Sequence, residues 1–508
     1  MDYLNLLPVG YVPSCATEFN QIKKWLDVKR EEIRLIDVSI ASLEEQIHDL
    51  RLTQVRLRRL CAGAEALMAP IRRLPDEILS KIFILLIPEV SLGRDQHVFN
   101  YHTHPHDVRL TLVTVCRHWA VVMDATPEAW STIILNSRTF NEEQLALLLN
   151  KSRPWNIEVF VEGASGRCRR GFIPEWTLER YHTAMALIGS HMSRLRAFCG
   201  IRIRPLNGYF PLDHTWARAQ NLRHLTLLSA ESLPNFKLMD APNLYSLSLG
   251  SNHRFLKYFP HSSRKSLRQL HLSFPGPFVA FLDVCVMFLV TCPNLEDLLW
   301  EAMGLGWGRS AETIIQEIMG PGQQVPMYSL KRFRFVPGNL GNLNSLQLFM
   351  QFQMPRLESL ELVQQTSMQL EALNSALSNG LSNLRELSLD TMTLVGSQSG
   401  NHGVGKRHIS NLIRLTLSDC NLPPLFFTMF TSHSITSSQP KIFTKLGNIH
   451  LLHCDFKILD LSNFLDYHAR TTMDTLRAVY IKTKESTAEA RQNFDSLLMV
   501  HGDIVNLL

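Results

Sequence analysis

Apolar positions along the chain follow three successive rhythms. In the first, from Phe19 to Cys61, they step alternately by three and four residues: Phe19, Ile22, Leu26, Ile33, Ile36, Ile40, Leu43, Ile47, Leu50, Leu57 and Cys61, with Lys29 and Gln54 at the two polar interruptions. No proline or glycine intervenes before Gly63. Such a seam, sustained for about six heptads, predicts one continuous coiled-coil helix over residues 15–66. A seam names a packing surface but not its owner. It serves self-association or a partner helix, or else the helix folds back on its own chain.

The second rhythm is helical and compact. In PIRRLPDEILSKIFILLIP, Pro75 suits the first turn of a helix and Asp76 and Glu77 favour the positive end of its dipole, so a helix is predicted from Leu74 or Pro75. Ile78, Leu79, Ile82, Phe83 and Leu86 form its apolar stripe until Pro88. An irregular insert follows from Glu89 to Val108, carrying His97, His102, His104 and His106. A second helix is expected to bear Leu112, Val115, Cys116, Trp119 and Val122, and Thr126-Pro127 begins a turn that delivers Trp130. So small a helical unit has more large apolar residues than its own core needs, so part of that surface should face another protein or the following domain.

LPDEILSKIF followed by VCRHWAVVMDATPEAW resembles the F-box, the module by which substrate receptors dock on the Skp adaptor of cullin-RING ubiquitin ligases. The resemblance implies an adaptor-binding set of Leu74, Pro75, Ile78, Leu79, Ile82, Phe83, Val115, Cys116, Trp119 and Trp130, within a helical module over residues 70–134. The insert 89–108 departs from the short connection usual in the family.

Beyond Trp130 the period changes again. WSTIIL and WNIEVFVEG read as strands separated by the helical FNEEQLALLLNKS, and a motif then recurs in which a leucine is followed three and five residues later by apolar residues. The copies begin at Leu222, Leu244, Leu267, Leu295, Leu330, Leu357, Leu384, Leu412, Leu446 and Leu476, with a weaker one at Leu195. Spacings of roughly 22 to 35 residues approach the 20 to 29 of leucine-rich repeats. Pro-Asn-Leu at 242–244 and 293–295 and Ser-Asn-Leu at 382–384 mark one common turn into the strand. No repeat can bury its apolar face alone, and stacking cures this. The expected fold is therefore an α/β solenoid, a leucine-rich-repeat horseshoe over residues 135–508 with a C-terminal cap (Ala490, Phe494, Leu497, Leu498, Ile504), preceded by an α-helical F-box and an N-terminal coiled-coil helix. Phe278 to Val290 is read as a buried return helix of one repeat.

Strand alternation sends the residues between the core leucines to the opposite, concave face. There the charges come in blocks: Asp297 and Glu301, then Arg332 and Arg334, then Glu361, Glu386 and Asp390, then Arg414. His224, Thr226, Ser246, Gln269, His271, Ser359, Thr416, His450, Tyr480 and Lys482 complete the strip. A mixed strip suits a protein target and is poor for a phosphate backbone, which needs a continuous basic track.

The rest of the composition narrows the function by exclusion. A net charge of +5 over 508 residues gives no general attraction to nucleic acid. Nine cysteines without a C-x-x-C pair suit a reducing, cytoplasmic or nuclear compartment. The start, MDYLNLLPVGYV, lacks a signal-peptide pattern, and the longest apolar run is too short to span a membrane. The His-rich insert lacks cysteine and a rigid frame, so no metal is expected. GNHGVGKR at Gly400 to Arg407 has P-loop glycine spacing but lacks the magnesium-binding hydroxyl and the helix that must follow; GLGWGR at Gly304 to Arg309 lacks the dinucleotide spacing. No catalytic constellation and no cofactor are expected. The resemblance implies a non-enzymatic substrate receptor of an SCF-type ligase, partnered by a Skp adaptor, through it a cullin, and a protein target. The alternative is a non-catalytic scaffold that uses the F-box for adaptor-linked assembly or its own turnover.

Overall fold

The computed structural model describes residues 12–13, 15–68, 70–92, 99–100, 104–136, 140–162, 167–168, 171–172, 178–201, 219–228, 241–250, 254–257, 259–274, 279–302, 311–337, 351–363, 367–369, 381, 383–391, 393–395, 411–423, 426–427, 445–471, 476–482, 495 and 497–507. They belong to two compact units that divide after Ile82.

In the first unit, helix α1 runs unbroken from Ala16 to Met68, 53 residues or about 80 Å at 1.5 Å per residue. The Cys15 carbonyl accepts the Phe19 N–H and so closes its first turn. Pairs one turn apart, Lys29 with Glu32 and Arg34 with Glu31, each at 2.6 Å, support the helix locally. The seam predicted from the three-four spacing is there, and its side chains from Ile33 to Leu57 are exposed.

Helix α2 spans Asp76–Leu86. Pro75 precedes it by one residue and its carbonyl takes the Ile78 and Leu79 N–H groups at 3.0 Å, as the proline and acidic-turn signals predict. Two further expectations are corrected. The insert does not stay irregular to Val108, because helix α3 starts at Pro105 (Pro105–Val115), with His104 as its N-cap accepting the His106 N–H through Nδ1 at 3.2 Å. Pro105 is the first residue of the helix, where its missing N–H costs nothing. The expected single second helix is two: Cys116 is extended (φ −163°, ψ 164°) and helix α4 restarts at Arg117–Asp124. The break follows Val113-Thr114-Val115, three β-branched residues in a row and hence the weakest turn of the helix. A 3₁₀ turn, Pro127–Trp130, then delivers Trp130 as anticipated.

Fourteen strands make one sheet in strict chain order. They are β1 (Thr132–Asn136), β2 (Ile157–Glu162), β3 (Leu195–Ile201), β4 (His224–Leu228), β5 (Ser246–Gly250), β6 (Gln269–Phe274), β7 (Asp297–Ala302), β8 (Arg332–Pro337), β9 (Ser359–Val363), β10 (Glu386–Asp390), β11 (Arg414–Ser418), β12 (Asn448–Leu452), β13 (Ala478–Lys482) and β14 (Val505–Leu507). Every neighbouring pair is parallel. Sequential parallel strands are what a stacked repeat produces, since each crossover returns the chain to the same side. β1 falls in WSTIIL, the first segment read as a strand, and spans the 134/135 position. At the other end, Val505–Leu507 adds a strand that carries no repeat motif.

The repeat triplets form the core. Of the ten, every residue except half-buried Leu476 is at most 4% exposed, and the lateral register stacks like on like, as in Leu270↔Leu298↔Phe333↔Leu360. The Asn of each turn motif donates to the preceding repeat: Asn243 to the Gln220 carbonyl, Asn294 to Lys265 and Asn383 to Pro355, at 2.7 to 2.8 Å. Helix α5 (Glu142–Lys151) lies between β1 and β2 in the chain and α6 (Leu178–Gly189) between β2 and β3; α7 (Val279–Val290), α8 (Ala311–Met319) and α9 (Ile458–Thr471) are later return helices. α7 is the apolar run read as a return helix, and Leu282, Cys285, Val286, Phe288 and Leu289 are all buried. Trp300 sits where other repeats carry leucine, its ring edge-to-face with Phe335 at 6.2 Å and Phe352 at 6.4 Å. Of the cap residues, Leu497 is buried and Leu498 and Ile504 half-buried; Ala490 and Phe494 lie outside the described residues, as do His97, His102 and the two glycine-rich segments.

Candidate functional site

The face of the sheet away from the leucine core is polar and ordered in rows. Alternation along each strand and exact pairing between strands place Ser246, Gln269, Asp297, Arg332, Ser359, Glu386 and Arg414 in one lateral row. The next row runs Thr226, Ser248, His271, Leu299, Arg334, Glu361, Ser388, Thr416, His450 and Tyr480. All the strip residues anticipated from alternation lie on this face. Ser248, Leu299, Ser388 and Asn448, not anticipated there, carry the same signal, since they too alternate with core apolar residues.

The blocks of charge are matched across the strands. Parallel register sets opposite signs side by side, and they pair: Arg332 with Asp297 at 2.6 Å, Arg334 with Glu361 at 3.3 Å and Arg414 with Glu386 at 2.9 Å. His271 Nε2 lies 3.3 Å from Glu301 Oε2 across a diagonal. At the strand entries Glu296 joins Arg268 at 2.6 Å and Lys331 at 2.8 Å. This last trio sits one residue after the first leucine of each motif and was not picked out by the sequence reading, although that position is charged in five successive copies, Arg268, Glu296, Lys331, Glu358 and Arg385. Asp390 sits at the far end of β10, half-buried.

These pairs set the protonation of the face. Burial raises the Glu301 carboxyl, but His271, Ser273 and Arg334 outweigh it and hold the group below its ordinary value. A hydrogen bond from Lys331 lowers Glu296, against burial and with help from Arg268. Burial lowers His224, aided by Arg196 and Arg223, and lowers His450, aided by Arg414, so both imidazoles are neutral at neutral pH. His450 stacks on Tyr480 at 4.6 Å. Beside the paired charges is a depression of about 330 Å³, lined by Ser248, Gln269, His271, Leu299, Arg334 and Glu361 among others. Ser273 and His271 both address the Glu301 carboxylate, so they do not form a nucleophile and base. Among the described residues no group of three metal-ligating side chains converges. The face offers paired charges and hydrogen-bonding side chains.

No protein-family model and no curated protein matches the chain. Among solved structures, TLR13 in the crystal structure of the TLR13–ssRNA13 complex is similar over 70% of this chain and 48% of its own, at 16% identity and a TM-score of 0.36. The chain thus spans about half the length of that protein. The sheet itself, with its triplets in register, makes this a leucine-rich parallel-sheet repeat.

The helical candidates divide by exposure. Leu79, Phe83 and Trp130 are buried in the core. Phe83 packs its ring 4.9 Å from Trp119, and Trp130 donates Nε1–H to the Met123 carbonyl at 2.8 Å with Lys151 Nζ 4.4 Å over its ring. Ile78, Pro75 and Val115 are exposed; Leu74, Ile82, Cys116 and Trp119 are half-buried. Arg109 was not picked out by the sequence reading and is the buried pin of this region. Its Nε–H goes to the Ala129 carbonyl and its Nη2–H to Thr132, both at 2.7 Å, and burial lowers its pKa to about 10. Its spacing, three residues before buried Leu112, was the available signal. No described helix is long and apolar enough to cross a membrane.

Proposed function

We propose that this chain is a substrate receptor of an SCF-type ubiquitin ligase, whose helical element docks on a Skp-type adaptor and whose polar sheet face holds the target protein. The observation that carries the first half is the distribution of apolar side chains. Phe83, Trp119, Val122, Met123 and Trp130 are buried or half-buried, yet Leu85 is 84% exposed, Val115 55% and Val121 59%. Large apolar residues left in water around a finished core are the mark of a docking surface, and the sequence resemblance says for what. The second half rests on the paired charges and shallow depression of the sheet face, which suit a protein target of patterned charge. The ubiquitin chemistry belongs to other subunits in this reading, and no cofactor takes part.

The test uses Ile78→Asp with Val115→Asp. Both side chains are exposed, so the fold should lose little, about 0.5 kcal/mol or less per site, while a charge placed on an apolar interface is costly. Tagged wild type should bring down Skp adaptor and cullin, and the variant should lose both by at least about tenfold with an unchanged thermal midpoint. Wild type that retains adaptor without cullin would fit a scaffold instead, and equal capture by the variant would refute the docking surface.

A further inference from the structure

We propose that α1 joins two copies of this chain in a parallel, in-register two-stranded coiled coil. The heptad fixes the core: with Phe19 and Leu26 at a, the later a positions are Ile33, Ile40 and Ile47, and the d positions are Ile36, Leu43, Leu50 and Leu57. All seven of these later side chains are between 48% and 69% exposed on a helix that runs without a break. A stripe of that length on one helix face needs a cover.

Three observations name a second copy as the occupant, and in one orientation. First, β-branched residues at a with leucine at three of the four d positions favour two parallel strands. Second, the two polar core residues, Lys29 at d and Gln54 at a, meet their own copies only when the strands are parallel and in register, and polar core positions of this kind set register. Lys29 already directs its ammonium to Glu32, at the flanking g position, at 2.6 Å. Third, the e positions read Lys23, Arg30, Asp37, Glu44, Arg51 and Arg58. That order of signs is the same in both directions, so a fully overlapped antiparallel pair would set base on base and acid on acid along the e edges. The parallel arrangement sets e against g instead, where Glu18, Trp25, Glu32, Ser39, Gln46 and Thr53 stand. Lys23 then meets Glu18 and Arg30 meets the Trp25 ring, and only Asp37 against Glu32 is like-charged.

Two native thiols report the orientation. Cys15 falls at d and Cys61 at a, both free and exposed. Parallel strands place each beside its own copy; an antiparallel register that joins thiols must join Cys15 to Cys61. The full chain is oxidised with diamide, which takes the two thiol hydrogens as the S–S bond forms, and run without reductant. A covalent dimer should survive Cys15→Ser and Cys61→Ser singly and vanish in the double variant. By light scattering the reduced chain at micromolar concentration should have twice the 58.0 kDa chain mass, and Ile40→Lys with Ile47→Lys should return it to one. The same double variant should still capture adaptor, which separates this inference from the ligase reading. A single-chain mass for the reduced wild type, or loss of the cross-link in either single cysteine variant, would overturn the proposal.

Discussion

Glu301 shows how one side chain on the sheet face links burial, charge and pH. Burial alone would push its carboxyl up, but His271, Ser273 and Arg334 more than compensate, so its folded pKa lies below the 4.5 expected in the unfolded chain. A carboxyl depressed on folding contributes stability that is full above its unfolded pKa and is lost as pH falls through the folded value. Glu301 should therefore make wild type lose some thermal stability as pH falls below about 4.5, and Glu301→Gln should be less stable at neutral pH but flatter on the acid side. Calorimetric midpoints for both chains from about pH 3 to about pH 7 would check this, and parallel curves would remove Glu301 from the acid response. At this scale the sequence was only partly readable. Leu225 or Leu387 announces its burial by type and spacing, whereas Arg109 reads as a solvated charge until Ala129 and Thr132 are seen to supply its two acceptors.

Strands were legible because an alternating apolar pattern fixes which face is core without reference to any neighbour. Ion pairs were not, since whether Asp297 meets Arg332 depends on the register between β7 and β8, 35 residues apart. The same limit explains α3 and α4, where apolar spacing continues through Cys116 although the backbone is extended there. The consequence for the sheet face is that Asp297, Arg332, Arg334, Glu361, Glu386 and Arg414 already have partners, so a target bound there as proposed would add to these pairs or displace them. Asp297→Arg and Arg332→Asp separate the two roles. Each single change puts like charges together and should cost about 0.2 to 1 kcal/mol, the usual size of an exposed cross-strand pair. The double exchange should recover that stability, and a target that reads these charges should still be lost in pull-down. Retained target in the exchanged chain would move recognition away from this row.

The whole sheet behaves as a line. Each strand hydrogen-bonds only to the strands before and after it in sequence, so stability should be passed between neighbours rather than shared evenly. Trp300 with Phe335 and Phe352, and the asparagine bonds from one turn to the preceding repeat, are couplings of that nearest-neighbour kind. Leu415 on β11 is 2% exposed and stacks between Leu387 and Ile449. Leu415→Ala should remove about 2 to 5 kcal/mol locally. In hydrogen exchange the loss of protection should be greatest in β10, β11 and β12, smaller in β9 and β13, and absent in β1 and β2 at the far end, because protection reports the local opening of each cooperative unit. Adaptor capture should not change. Uniform loss of protection from β1 to β14 would mean that the repeats open together as one cooperative unit.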